Sequence, residues 1–177
     1  MKHNLVNMAW MQALWFAAVV GAAHAKTWPS VLILLLFSAW QLHPSHQCKG
    51  DVRLVIIALA SGLVLDTLWM QLGWLDYQES WPISGLAPLW ILALWAGLAL
   101  TINHSLAWLQ QRMLLAAVAS GFSSVVSYLA AQRFGALAVI AEPTMVYVAI
   151  FSAWAVTLSM LLKLASHFRR QYEEVHS

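Results

Sequence analysis

Long apolar stretches separated by short polar breaks set the pattern of this chain. A helix that spans hydrocarbon takes roughly 20 apolar residues. Six stretches reach or approach that length: about Leu5–Ala23, Trp28–Leu42, Leu54–Leu75, Leu86–Asn103, Met113–Gln132 and Thr144–Leu164. The second is short enough that it would stand nearly upright or pinch the bilayer. Breaks fall where a chain leaves a helix: Trp28-Pro29, His43-Pro44, Trp81-Pro82 with Ser84-Gly85, and Glu142-Pro143. Pro29, Pro88 and Pro143 stand near expected helix starts, where a missing N–H costs little. The pattern predicts an all-α, polytopic transmembrane helix bundle of six helices. It forms a single domain over residues 1–177, of which 165–177 would be a tail.

Composition agrees with a lipid-solvated surface. The chain is 62% hydrophobic and 9% charged, whereas soluble domains carry about 25% charged residues to cover themselves. The single cysteine, Cys48, excludes an internal disulfide and a cysteine-rich metal site. No linker, low-complexity tract or clear repeat divides the chain.

Charge becomes informative once mapped onto two membrane faces. Lys2, Lys49, Arg53, Arg112, Lys163, Arg169 and Arg170 share one face, and Lys26 and Arg133 the other, a bias of seven against two. Basic loops stay inside, so both termini are expected to be cytoplasmic and the acidic turn Asp76–Pro82 to face outward. Such scattered basic residues make no nucleic-acid footprint. Lys2, an apolar stretch and Ala23-His24-Ala25 also resemble a cleavable signal peptide, which would leave five helices. Asn4, Asn7, Gln12, Trp10 and Trp15 are bulky and polar for such a segment, so the first helix is expected to stay.

Eleven tryptophans need an account. Trp28, Trp74, Trp81, Trp40 and Trp108 fall at expected membrane boundaries, as an interfacial belt does. Trp15, Trp95 and Trp154 arrive together at greater depth, with Trp69 also inside. They predict an aromatic layer that fills the core or walls a pocket for an apolar or cationic ligand.

Asp66 is the most informative polar residue. A carboxylate near the bilayer centre costs about 3 kcal/mol on the insertion scale. Eleven Leu, Ile and Val residues in the same helix each offset roughly 0.5 kcal/mol, so insertion still wins. Asp66 must then face protein. Gly62 and Gly73 share its stripe, and Ser120, Ser124, Ser127 and Ala131 form a small-residue stripe on the fifth helix. The expected intramembrane polar site is Asp66 with Ser124, Ser127 and Tyr128, Asp66 bonding Tyr128 or a serine. A buried clamp without activity is the plainer meaning of the same residues.

A second candidate lies at the inner edge: Asn7, Asn103 and His104, with Asn4 and Gln41 nearby. A histidine ending the fourth helix can simply cap carbonyls. Straight helices put His104 and Asp66 about 15 Å apart in depth, too far for direct proton transfer. Arg133 and Glu142 are expected to pair at the outer surface. His43 and His46 have the spacing of a weak metal site but no third ligand beyond Cys48, so no metal and no other cofactor is expected. No phosphate-binding glycine loop, H-E-x-x-H or G-x-S-x-G occurs.

One family shares these features. Asn7 with Trp15-Phe16 and Gly21-Ala22, then Asp66, form one part of its pattern. Ala87-Pro88-Leu89-Trp90, Leu94-Trp95 and Thr101 running into Asn103-His104-Ser105-Leu106 and Trp108-Leu109 form the more specific part. Tyr128 and Gly135-Ala136 complete it. Together they resemble the small bacterial inner-membrane proteins of domain of unknown function 2878, over nearly the whole chain. The resemblance implies a bacterial source, the inner membrane, an uncleaved first helix and a link to envelope lipids. It implies no reaction, and the second loop with its histidines lies outside its pattern.

Three functions stay open. The missing motifs rank a non-enzymatic accessory or binding component first. Its partners would be the bilayer and a lipid ligand or another membrane protein, with no nucleic acid. A small proton- or cation-coupled transporter using Asp66 is second, and a lipid-modifying enzyme near Asn103 and His104 is third.

Overall fold

The computed structural model describes residues 2–176, with side chains to Tyr172. Among these residues six α-helices run α1 (Lys2–Ala23), α2 (Trp28–Gln41), α3 (Asp51–Gln71), α4 (Leu89–Ile102), α5 (Met113–Arg133) and α6 (Pro143–His176). Four of them, α1, α3, α5 and α6, are long and apolar enough to cross a membrane. The other two have 14 residues each, about 21 Å at 1.5 Å per residue.

The short α4 is the axis of the bundle. It packs against α1, α2, α3 and α6, while α5 leans on α6. Trp90, Ile91, Ala93, Trp95, Leu100 and Ile102 are all buried along it. A helix hydrophobic on every side belongs in a core, and Leu14, Ala18, Leu54, Ala58, Ile150 and Leu161 close around it. The apolar residues of the outer helices point away: Leu114, Phe122, Val126 and Val156 are exposed.

Three departures from the sequence pattern have local causes. First, α3 begins at Asp51 rather than Leu54. Gly50 precedes it with φ +97°, a left-handed turn that glycine adopts without steric cost, and the Asp51 carboxylate accepts the Cys48 N–H at 2.8 Å. Asp66 therefore lies about 22 Å from the start of α3 and about 8 Å from its end, not at mid-helix. Gly73, with φ +66°, falls beyond α3 and off the packing stripe.

Second, the connections after α3 and α5 form a two-stranded antiparallel ribbon, β1 (Leu75–Tyr77) with β2 (Leu137–Val139). Leu75 and Tyr77 turn inward and Asp76 outward, the alternation a strand imposes. Three residues are too few to show that period in a sequence. Third, α6 has 34 residues and continues beyond Leu164. Its extension docks: Phe168 packs under Gly50, and the Lys49 ammonium sits 4.6 Å from the Tyr172 ring centroid.

Candidate functional site

The bundle holds two buried carboxylates, one near each end of α3. Asp66 lies at the strand end. Tyr77 of β1 and Tyr128 of α5 both donate to its Oδ1, at 2.5 and 2.8 Å, and Trp95 Nε1 donates to Oδ2 at 2.7 Å. Each donor is fixed by its own surroundings. The ribbon turns Tyr77 inward, edge-on to Trp90 at 5.6 Å. Trp95 stacks on Trp154 with centroids 4.4 Å apart. Gly62, one turn before Asp66, lets Trp95 approach: a Cβ there would lie 2.2 Å from Trp95 Cδ1. Burial first, then the neighbouring carboxylate, pushes the Tyr77 phenol well above its ordinary value, so it remains a donor.

Beside this cluster a cavity of about 460 Å³ opens between α1, α4 and α5. Trp15, Trp90, Trp95 and Trp154 line it together with Phe16, and Ser124, Ser127 and Tyr128 give it a hydroxyl-bearing wall. Trp15 Nε1 reaches across from α1 to donate to Ser127 Oγ at 2.8 Å. At its rim Phe16 and Val126 are exposed. The volume falls in the range of about 300–1,000 Å³ typical of small-ligand sites.

The other carboxylate, Asp51, lies at the end of the bundle where α1 begins. Its Oδ1 accepts Asn103 Nδ2 at 2.8 Å, and its Oδ2 meets His104 Nε2 at 2.9 Å. Among the described residues this is the one contact of ion-pair geometry. The network extends outward from it. Gln41 Nε2 lies 3.1 Å from His104 Nε2, and Asn7 donates to Gln41 Oε1 and to the Leu100 carbonyl while accepting the Ser105 hydroxyl. Gln110 and Arg169 both donate to Asn103 Oδ1 at 3.2 Å.

The structure thus brings Asp66 and Tyr128 together, and Asn7, Asn103 and His104 likewise. It gives the two serines different partners: Ser124 donates to the Gly121 carbonyl, and Ser127 accepts from Trp15. A serine hydroxyl within a helix readily bonds a carbonyl of the preceding turn, which removes it from competition for Asp66. Trp15, Trp95 and Trp154 line one cavity. Arg133 and Glu142 make no ion pair; Glu142 instead accepts the N–H groups of Met145 and Thr144 at 2.7 and 3.1 Å and caps α6. Arg169, counted above only for its charge, belongs to the Asn103 network.

Several contributors escaped the sequence pattern. Tyr77 lay in a connection, and Asp51 sat among loop residues where a charge is unremarkable. A usable signal for Asp51 was the Cys48-Lys49-Gly50-Asp51 run, a turn glycine followed by an acidic first helical residue. A group with metal-ligand spacing, none having been expected, lies elsewhere than the His43 and His46 pair. It is Cys48, Asp51 and His104, whose ligand atoms lie within 4.8 Å of one another. The His46 ring instead directs Nδ1 to the Trp40 carbonyl.

Six helices, four of them long and apolar, around two buried polar clusters define an α-helical protein of membrane type. The model for the family described as a protein of unknown function, DUF2878, matches residues 4–160, and the chain belongs to that family. No curated protein and no solved structure matches it.

Proposed function

We propose that this chain is a multi-pass protein of a bacterial inner membrane, with both termini cytoplasmic. In our reading it serves as a non-enzymatic binding component that holds the apolar chain of an envelope lipid. The observation that carries the reading is the cavity between α1, α4 and α5. Four tryptophans and Phe16 offer an apolar wall, and exposed Phe16 and Val126 at the rim favour entry from the hydrocarbon side. A molecule dissolved in the bilayer reaches such an opening without crossing water. The hydroxyls of Ser127 and Tyr128 suit a ligand with one polar group in an otherwise apolar body. The charge bias of seven against two supports the orientation, and the burial of Asn7, Leu14 and Ala18 supports α1 as part of the mature bundle.

The transporter alternative gains little from Asp66, which is 0% exposed and already accepts three hydrogen bonds. The convergence of Asn7, Asn103 and His104 favours the enzyme alternative in one respect. Their polar atoms are, however, taken up by other side chains: Gln41 lies between Asn7 and His104, and Asp51 between His104 and Asn103, as in a clamp.

Native mass spectrometry of the protein released from its own membranes tests the reading. The expected result is a defined lipid adduct that survives detergent exchange and disappears in Ala130→Phe, a variant that fills the cavity without removing a hydrogen bond. Bare wild-type protein, or an unchanged adduct on the folded variant, would refute it.

A further inference from the structure

The end of the bundle opposite the strands gathers donor atoms of three kinds. Cys48 comes from the loop after α2, Asp51 from the first turn of α3 and His104 from just beyond α4. Their ligand atoms lie within 4.8 Å of one another, with Asp51 and His104 buried and Cys48 half-buried. Helix capping accounts for Asp51, which accepts the Cys48 N–H. It does not account for the thiol, nor for His3. The His3 ring stands edge-on to His104, with centroids 5.4 Å apart. Its Nε2 is buried and has no hydrogen-bond partner.

We propose that Cys48, Asp51 and His104 bind a transition-metal ion of the Zn²⁺ type, with His3 Nε2 as the fourth donor. The donor set selects the ion. One thiolate, two imidazoles and a carboxylate suit Zn²⁺ or Co²⁺, whereas Mg²⁺ and Ca²⁺ require oxygen-rich shells. Metal–ligand bonds of about 2.0–2.3 Å place tetrahedral donors about 3.3–3.8 Å apart. The most widely spaced of these three donors must therefore close by about 1–1.5 Å, the half-buried Cys48 in its loop being the one able to move, and His3, outside that group of three, must turn in toward them. The direct contact between His104 Nε2 and Asp51 Oδ2, at 2.9 Å, opens by about half an ångström as the ion takes the place of the proton between them.

Supporting bonds are already in place. Asn103 Nδ2 on Asp51 Oδ1 fixes the carboxylate, and such outer partners orient metal ligands. Arg169 is held on Asn103 and Gln110. Binding expels the thiol proton, and each imidazole binds in its neutral form through its unprotonated ring nitrogen, with no change in oxidation state. The ion ties α1, the second loop, α3 and the end of α4 together. It is independent of the lipid cavity, which lies between other faces.

The test uses full-length protein purified through a tag without histidine, stripped with a chelator and titrated with Co²⁺. About one equivalent should bind, giving a thiolate-to-cobalt charge-transfer band and intense visible bands of tetrahedral cobalt. Zn²⁺ should displace it. Cys48→Ser should abolish the charge-transfer band, and His3→Ala and His104→Ala should each weaken affinity by about tenfold or more. Helical circular dichroism checks that each variant is folded. Uptake well below one equivalent by the wild type overturns the proposal, as does a cobalt spectrum that folded Cys48→Ser or His3→Ala leaves unchanged.

Discussion

Asp66 and Asp51 lie on one helix, about four turns apart, and are held in contrasting ways. Asp66 accepts only from aromatic side chains on three other elements: a strand phenol, a phenol on α5 and an indole on α4. Asp51 accepts from its own preceding loop and from two residues at the end of α4. The first arrangement joins distant parts of the chain in a fully buried cluster. The second is largely a cap, in a region where a loop can turn its groups outward. Similar burial, 0% and 1%, therefore hides unequal structural weight.

The largest expected effect follows from that inequality. Asp66→Leu leaves two phenols and an indole N–H without an acceptor. The loss should be about 2–5 kcal/mol, the lower figure reflecting the modest worth of hydrogen bonds measured within membranes. Asp51→Leu in metal-free protein should cost about 1–3 kcal/mol, because the freed Cys48 N–H belongs to a half-buried loop and His104 keeps its contact with Gln41, which leaves Asn103 Nδ2 as the buried donor that loses its acceptor. Equilibrium unfolding in mixed detergent measures both. A loss at Asp51 equal to or above that at Asp66 would break the comparison.

The same contrast explains what the sequence made legible. Asp66 stood out because a lone carboxylate among eleven aliphatic residues has to turn inward. Its partner Tyr128 followed from counting equal rises along antiparallel helices. Tyr77 did not, because it reaches Asp66 only after the β1–β2 ribbon has folded over the end of α3, a long-range pairing with no local periodicity. Trp95 was placed in the right layer, yet its bond to Asp66 depends on Gly62, and small residues mark close approach without naming the neighbour. At the other end Asn7, Gln41, Asn103 and His104 were visible as polar residues near helix ends. Asp51 and Arg169 were not, since charges beside a membrane face need no special explanation. Helix count and type were readable from the apolar stretches. The length of α6 was not, because its last turns are polar and held by contacts with Gly50, Lys49 and Asn103.

Gly62 offers a way to weaken one side of the Asp66 cluster without touching a polar group. Gly62→Ala places a methyl where Trp95 now lies. The indole must withdraw from Asp66 and from its stack on Trp154, at an expected cost of about 1–2 kcal/mol. Tryptophan fluorescence should change as the Trp95–Trp154 stack opens, and Val64→Ala, on the exposed face of the same helix, should leave it unaltered. An unchanged spectrum in Gly62→Ala would show that the Trp95 contact does not depend on that close approach.

Glu142 sharpens the comparison from the solvent side, with the smallest effect. Like Asp51 it accepts backbone N–H groups at a helix start, but it is exposed. Its bonds from Met145, then Thr144, hold its carboxyl below the usual glutamate range. A carboxyl depressed in the folded state contributes fully above its unfolded value, and the contribution is lost as pH falls through the folded value. The first turn of α6 should therefore fray in mild acid, seen as faster amide exchange at Thr144 and Met145 after correction for the intrinsic pH dependence of exchange. Glu142→Gln should show the faster exchange already at neutral pH and little further change on acidification. The core around Trp95 should not respond in either protein, because an exposed cap holds only its own turn, whereas Asp66 joins three separate elements. Acid-induced loosening that spread from Thr144 to Trp95 would erase that distinction.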